Sequence, residues 1–472
     1  MTTGPGPTAL PSTVTVVNVG LSLFADAVRQ QGRPADQLDW RIPAGGDPET
    51  LASLVTLFGP QAARVDAANA EVFRRLDTPA VFWTGVARAI DVVPGMKGAT
   101  LLHCGPAIDW TDVCDPLRRS LRAATIAEGW AGDPAEADSL LRTGRVAIEP
   151  ANPHATVLPM ATALGPSMPV IVVDNEAAGT QAFSALNQGP GDVAWFGRDT
   201  GAAVERLRFL RDIAGPVLDT AVKAAGPVDV FTIAAQGVAM GDDVHMRTQA
   251  STNLLIRHVL PHLVAQDGPR AVELARFLSG NHLFFLNVAM AAAKSLTMWA
   301  EQVVDSSIVT TMSRNGTTFG IRLAGSSRWF ISEAPEIGDA LYYAGFGPES
   351  AARDIGDSAV LELVGLGGPA AGGSPAVAAF LGGTMADAVA VTEDMTDVCH
   401  GVSSRFKLPT LDYRGTPVGV DARLVTKLGL TPKVNTGILH LSDGTGQVGA
   451  GVATAPLDCF TAALHDLAAR LR

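Results

Sequence analysis

The succession of apolar and polar positions divides the chain into an α/β front, a helical middle and a mixed rear. Val14 to Val19 (VTVVNV) is a β-branched run closed by Gly20, LFADAVRQQG behind it has helical spacing and stops at Gly32, and LDWRIP has strand character. Strand, glycine turn, helix and strand in so short a stretch predict a parallel βαβ unit, which carries ligands at its strand C-termini. Further on, DAANAEVFRRL (Asp66 to Leu76) predicts a helix, AVFWTG a strand, ATLLHCGPAIDW a strand emptying into a loop, and CDPLRRSLRAATIAEGWAG an amphipathic helix. From Arg145 a second α/β lobe begins, with strands in RVAIEP and MPVIVVDN on either side of the ANPHAT turn and a segment punctuated by prolines.

Residues 200 to 305 repeat their Leu, Ala, Phe and Met with helical period, in AAVERLRFLRDIAGPVLDTAVKAAG, VDVFTIAAQGVAMG, TQASTNLLIRHVLPHLV, PRAVELARFLSG and HLFFLNVAMAAAKSLTMWAEQ, and most of that content is core packing. SSIVTTMSRNGTTFGIRLAG alternates as a hairpin with Asn315-Gly316 near its turn. Ser374 and Pro375 suit the N-cap and first residue of a helix, and the rest has hairpin character before a last helix from Pro456. The predicted class is α/β: an N-terminal Rossmann-like parallel α/β domain over 1–144, a second α/β lobe over 145–205, a helical region over 206–305 and an α+β domain over 306–472.

Composition narrows the function classes. At 472 residues, 47% hydrophobic and 17% charged, the chain has ample material for several cores and none of the bias of a disordered or coiled-coil protein. Its formal net charge of -12 argues against nucleic acid or an anionic membrane as partner. VLPMATALGPSMPVIVV, a long apolar run, is broken by prolines and does not suit a membrane span. The opening MTTGPGPTALPST lacks the basic and apolar regions of a signal peptide and predicts a short disordered lead-in. Cys104, Cys114, Cys399 and Cys459 have no CxxC spacing, which points to reduced thiols in a cytoplasmic protein without a zinc knuckle.

Candidate chemistry sits where polar residues interrupt apolar segments, because a polar group in such surroundings must bond to protein, water or a ligand. Met240 to Arg322 holds three such phrases: MGDDVHMR with His245 and Arg247, FLSGNHLFFLN with Asn281 and His282, and TTMSRNGTTFGIR with Arg314, Asn315 and Arg322. The first two lie at predicted helix ends, where free amides and the dipole favour an anion. Arg314 and Arg322 suit a carboxylate or phosphate clamp, although Asn-Gly is equally the usual turn dipeptide. His103 ends a strand beside Cys104 and Gly105; Asn152, His154 and Asn175 could gather at one crevice if their strands are parallel, or serve only local backbone; Asp357 precedes a Gly-rich loop. PAGGDP, Pro43 to Pro48, could admit an anion or be a plain turn. His258 and His262 have the spacing of helical zinc ligands without an acidic companion, and GTGQVG at 444–449 matches GxGxxG by letters without a helix behind it.

These residues also carry a resemblance. VNVGLSLFADAVRQQG, LDWRIPAGGDP, LLHCGPAIDW, LGPSMPVIVVDN, MGDDVHMR, FLSGNHLFFLN, SRNGTTFGIR, DIGDSA, LDYRGTPVGVDAR, NTGILH and GQVGAG, in that order, resemble the YlbE/AllG-type family from about Val14 to the C-terminus. That family, first described as a domain of unknown function, is associated with FdrA-type proteins, which resemble succinyl-CoA synthetases. One branch is a subunit of the oxamate carbamoyltransferase of anaerobic allantoin breakdown, a purine-degradation route in which oxalurate and phosphate give oxamate and carbamoyl phosphate. The resemblance implies transcarbamoylation in this chain or in a complex that contains it, with carbamoyl and phosphate compounds as small-molecule ligands and a homo-oligomer or an FdrA-like protein as partner.

Phosphorolysis of an N-carbamoyl compound needs a cationic cradle for phosphate, donors to the carbamoyl oxygen and a proton source for the leaving amide, but no cofactor, metal or protein nucleophile. The sequence offers Arg314 and Arg322 for phosphate or the oxamate carboxylate, Asn281 and Asn315 for the carbamoyl oxygen, and His245 or His282 for the proton; Arg247, His103, Asn152, His154, Asn175 and Asp357 complete the candidate substrate contacts. Two other classes stay open: a noncatalytic partner subunit of an FdrA-like complex, and an acyl-CoA- or nucleotide-binding enzyme using the N-terminal βαβ unit.

Overall fold

The structure, a computed structural model, describes residues 16–38, 42–77, 79–381 and 383–472. The predicted lead-in, the first residues of the VTVVNV strand and the Asp39–Arg41 part of LDWRIP lie outside the described residues. The βαβ unit forms: strands Val16–Val19 and Ala35–Leu38 pair in parallel around helix Ser22–Gln30. Its two strands make a sheet of their own. PAGGDP is a turn leading into a helix: Asp47 Oδ2 accepts from Thr50 N at 2.8 Å, and Pro48 opens helix Pro48–Phe58.

The protein is a mixed α/β fold. A five-stranded sheet runs in the order Val228–Asp229, Phe82–Arg88, Pro169–Asn175, Thr180–Ala185 and Thr156–Val157. Only its last pair is parallel, since Pro169–Asn175 and Thr180–Ala185 are joined by a turn too short for a crossover. Strand Thr100–His103 pairs in parallel with Ala147–Pro150 in a smaller sheet. The helical middle follows the predicted pattern, with Gly201–Phe209 passing through a π-turn at Leu210–Ala214 into Gly215–Ala225. Pro216 withholds a backbone donor just beyond that turn.

Helix Phe284–Ala300 is the axis of the molecule. Every residue from Phe284 to Thr297 is buried, as expected of a helix apolar all round. It lies on strands Pro169–Asn175 and Thr180–Ala185 and meets helix Ala62–Asp77 and the hairpin that follows it in sequence. That hairpin pairs Val309–Asn315 with Thr318–Leu323 inside a four-stranded antiparallel sheet. Its turn presses on Gly105, where a Cβ would lie 2.5 Å from Asn315 Cβ, so only glycine fits. At the rear, strand Gln447–Thr454 is central in a three-stranded sheet, which makes GTGQVG a turn into a strand. The largest apolar cluster includes Val72, Leu158, Leu218 and Val360, and so joins residues from all four predicted segments. Among the described residues, no single helix is long and apolar enough to cross a membrane.

Candidate active site

Helix Val230–Ala239 is capped at Met240 and followed, past Gly241, by two fully buried carboxylates. Asp242 caps the next helix through Ser251 N at 2.8 Å and Ser251 Oγ at 2.9 Å. Asp243 accepts from Arg247 N at 2.7 Å, from Met246 N at 3.1 Å and from Asn435 Nδ2 at 2.6 Å. Directly after them Val244 is held at φ 61°, a left-handed conformation that costs a β-branched residue about 1–3 kcal/mol. The clamped loop presents His245, whose Nδ1 lies 2.7 Å from Glu362 Oε1 with both side chains buried. An ionised carboxylate only accepts, so Nδ1 carries the proton and Nε2 is left as the ring atom available to a ligand. Glu362 Oε1 is fixed in turn by Gly368 N and Asn435 N, each at 3.3 Å.

His245 borders a small hollow. This hollow, about 30 Å³, also touches Pro159, Met160, Ser358 and Gly437, and shares Trp195, Phe196, Met246, Leu283 and Gln447 with an adjoining larger hollow of about 240 Å³. The larger hollow adds Asn281, His282, Tyr343 and Phe380. Asn281 is 1% exposed, yet neither its Nδ2 nor its Oδ1 has a hydrogen-bond partner among the described residues. A buried amide left in that state loses roughly 1–3 kcal/mol per unmade bond, which a ligand in the larger hollow would restore. Beside it, Arg206 donates to Gln188 O at 2.5 Å and stacks on Phe277 at 5.3 Å, with no carboxylate pairing it among the described residues. A Cβ at Gly189 would sit 3.2 Å from Arg206 Nη1 and 3.4 Å from Asn281 Nδ2, so glycine, at φ 72°, lets both approach.

The remaining predicted residues lie elsewhere. Arg314, fully buried, gives Nε and Nη2 to Asp354 at 2.7 and 2.9 Å and Nη1 to Gly356 O at 2.6 Å. Asp357 accepts from Gly105 N and Leu158 N, both at 2.9 Å, and from Ser313 Oγ; burial pushes its carboxyl up to about 6. Ser313 also receives Asn152 Nδ2 at 3.3 Å, and Asn152 Oδ1 accepts from Lys294 Nζ at 2.9 Å. Arg322 pairs with Glu301 and bonds Ser326 O. Asn315 holds its own turn by accepting from Thr317 N and Thr318 N. Asn175 accepts from Ala178 N, and His154 ties Pro94 O to Glu149. Arg247 reaches Gly241 O from a partly exposed position. His103 bonds Cys104 O at 2.7 Å and is fully buried, which lowers its pKa to about 4 and keeps it neutral.

The structure thus places His245 and the pair Asn281 and His282 at two adjoining hollows and sets Asn152 and Arg322 at another, with Arg314 and Asp357 in buried hydrogen-bonded networks. Glu362 and Arg206 were missed by sequence reasoning. Glu362 had a signal, a lone carboxylate in the apolar AVLELVGLGG; Arg206, in a helix of alternating charges, had none. Burial raises all four thiols, Cys114 and Cys459 to about 11, so none offers a thiolate.

The fold is mixed α/β, and its carboxylate-paired imidazole and unpartnered amide line adjoining hollows. Comparison makes this particular. Residues 146–358 match the family described as Oxamate carbamoyltransferase subunit AllG. The chain is 38% identical over 410 residues to the Oxamate carbamoyltransferase subunit AllG of Escherichia coli (strain K12), covering 86% of this chain and 98% of that one. It is 33% identical over 454 residues to the Uncharacterized protein YahG of the same organism, covering 95% and 96%. The crystal structure of a conserved protein of unknown function from Enterococcus faecalis V583 matches with a TM-score of 0.84 at 34% identity, covering 87% of this chain and 99% of that one. The chain belongs to the AllG family.

Proposed function

We propose that the protein, alone or as a subunit, moves a carbamoyl group between phosphate and a small amide or amine acceptor such as oxamate, in the adjoining hollows of His245 and Asn281. The observation that carries this reading is the buried Asn281 amide, unpartnered beside Arg206 at the hollow that adjoins the one His245 borders. In the phosphorolytic direction a phosphate oxygen attacks the carbamoyl carbon, the C–N bond breaks, and the leaving amide nitrogen takes a proton. Asn281 Nδ2 donates to the carbamoyl oxygen as charge grows there, Arg206 balances the anion, and a protonated His245 Nε2 delivers the proton. In reverse, neutral Nε2 takes that proton from the acceptor nitrogen as phosphate leaves.

The test assays carbamoyl phosphate formation from oxalurate and phosphate, with the chain alone and with an FdrA-type partner. Turnover is expected in at least one arm, and Asn281→Ala lowers its kcat about 10²- to 10³-fold. Absence of turnover in both arms, or an unaltered kcat in the variant, removes the assignment.

A subunit role has its own observation. The N-terminal βαβ unit exposes Leu21, Leu23 and Phe24 at 71%, 69% and 60%, with Val17 and Val19 also in solvent. A two-stranded parallel sheet is marginal without further cover. We expect Leu23→Asp/Phe24→Asp to abolish co-elution with the FdrA-type partner in size-exclusion chromatography while leaving the melting temperature of the isolated chain within a few degrees. Undiminished co-elution places the contact elsewhere.

A further inference from the structure

Lys294 is the cation the carbamoyl-transfer reading does not use. It stands in the middle of the axial helix, 2% exposed, among residues that pack as Ala, Leu and Met. Its Nζ donates at 2.9 Å to Asn152 Oδ1, an amide carbonyl, and no carboxylate pairs with it among the described residues. It lines an open hollow of about 460 Å³ with Asn152, Glu301, Gln302 and Arg322, whose other walls are Pro94, Pro153, Ala155 and Met298. Arg322 is paired there with Glu301, whose side chain is 23% exposed and can turn to solvent when another anion takes the guanidinium.

We propose that this hollow is a binding site for a small oxyanion, held by Lys294 and Arg322 with Asn152 orienting the amine. A buried ammonium with one neutral partner lacks a counter-charge, and a second cation beside it makes that lack worse. An anion of phosphate or short-carboxylate size, seated between the two, supplies the counter-charge to both. Burial and the Arg322 charge lower the Lys294 pKa to about 7, so at pH 8 the empty site holds mostly neutral amine. A bound anion favours the ammonium, and binding above pH 7 therefore draws a proton from solution. Lys294, Asn152, Ser313 and Asp357 form one hydrogen-bonded row whose far end is the sequence neighbour of Ser358, a wall of the hollow that His245 borders. The inference does not rest on the carbamoyl-transfer reading, since its readout is binding rather than turnover.

The experiment is calorimetry of the full chain at pH 8 with sulfate, whose charge is constant in this range, in two buffers of different ionisation enthalpy. Inorganic phosphate and oxalate are run as parallel arms to separate a tetrahedral from a carboxylate ligand. The expected result is saturable binding of at least one anion, with sulfate taking up close to one proton per site if it binds. Lys294→Met, close in volume and free of the buried amine, loses at least about tenfold in affinity together with the proton uptake. Arg322→Gln loses about tenfold and keeps the uptake. The proposal is overturned if none of the three anions saturates, if binding takes up no proton, or if Lys294→Met binds as tightly as the unmodified chain. Should Lys294→Met not fold, the proton uptake of the unmodified chain and the Arg322→Gln affinity decide.

Discussion

Replacing His245 by Gln is expected to lower kcat for carbamoyl transfer by about 10²- to 10⁴-fold, the usual loss when a positioned acid–base group is removed. Gln still offers an amide donor towards Glu362, so the loop that holds it has reason to stay: Asp243 fixes that loop through backbone donors the substitution does not touch. The melting temperature should move by only a few degrees. What is lost is a ring nitrogen that can take and return a proton. A second variant separates this from a packing effect: Glu362→Gln should also lower kcat strongly with the fold intact, because an amide in place of the carboxylate no longer fixes which ring nitrogen carries the proton. A His245→Gln complex that turns over at the rate of the unmodified one would move the chemistry away from this cavity.

Legibility in the sequence followed the range of the interactions. The axial helix and its neighbours were readable because period 3.6 is local, and the 309–323 hairpin because alternation and Asn-Gly act within a few residues. His245 and Asn281 stood out as polar groups set in apolar surroundings, which is again a local signal. The partner that orients His245 could not be read, as Glu362 comes to it from 117 residues away. The arginines show the limit most sharply. Arg314 and Arg322 are close in sequence and suggested one clamp, yet Arg322 pairs across the hairpin with Thr311, three positions before Arg314. Residues an odd number apart on a strand face opposite sides, so one guanidinium enters the Asp354 network and the other the Lys294 hollow. Lys294 was visible as a lone cation in AMAAAKSLTMWA but passed for helix content, because periodicity reports that a face is buried and not what it is buried against.

Arg314→Met is expected to destabilise the fold by about 3–5 kcal/mol, the range for removing one partner of a buried ion pair. Both side chains are fully buried and the guanidinium meets the Asp354 carboxylate in a two-pronged match, with a third donor on Gly356 O. Loss of the arginine leaves Asp354 in the core with Thr436 Oγ1, at 2.9 Å, as the one side-chain donor shown to reach it among the described residues. Arg314→Lys should recover little, since a single ammonium cannot serve two carboxylate oxygens and a carbonyl placed for a planar fork. The double variant Arg314→Met/Asp354→Leu should regain a large part of the lost stability, because the penalty comes from the stranded charge more than from the absent bond. Urea midpoints of the four proteins, read by far-ultraviolet circular dichroism, measure this directly. An unshifted midpoint in Arg314→Met, or a double variant weaker than the single, would show that the pair does not hold the hairpin to the 354–357 turn. If it does hold them, the same loss reaches the hollow that His245 borders through that turn, because Gly356 bridges to Pro159 and both Pro159 and Ser358 line that hollow.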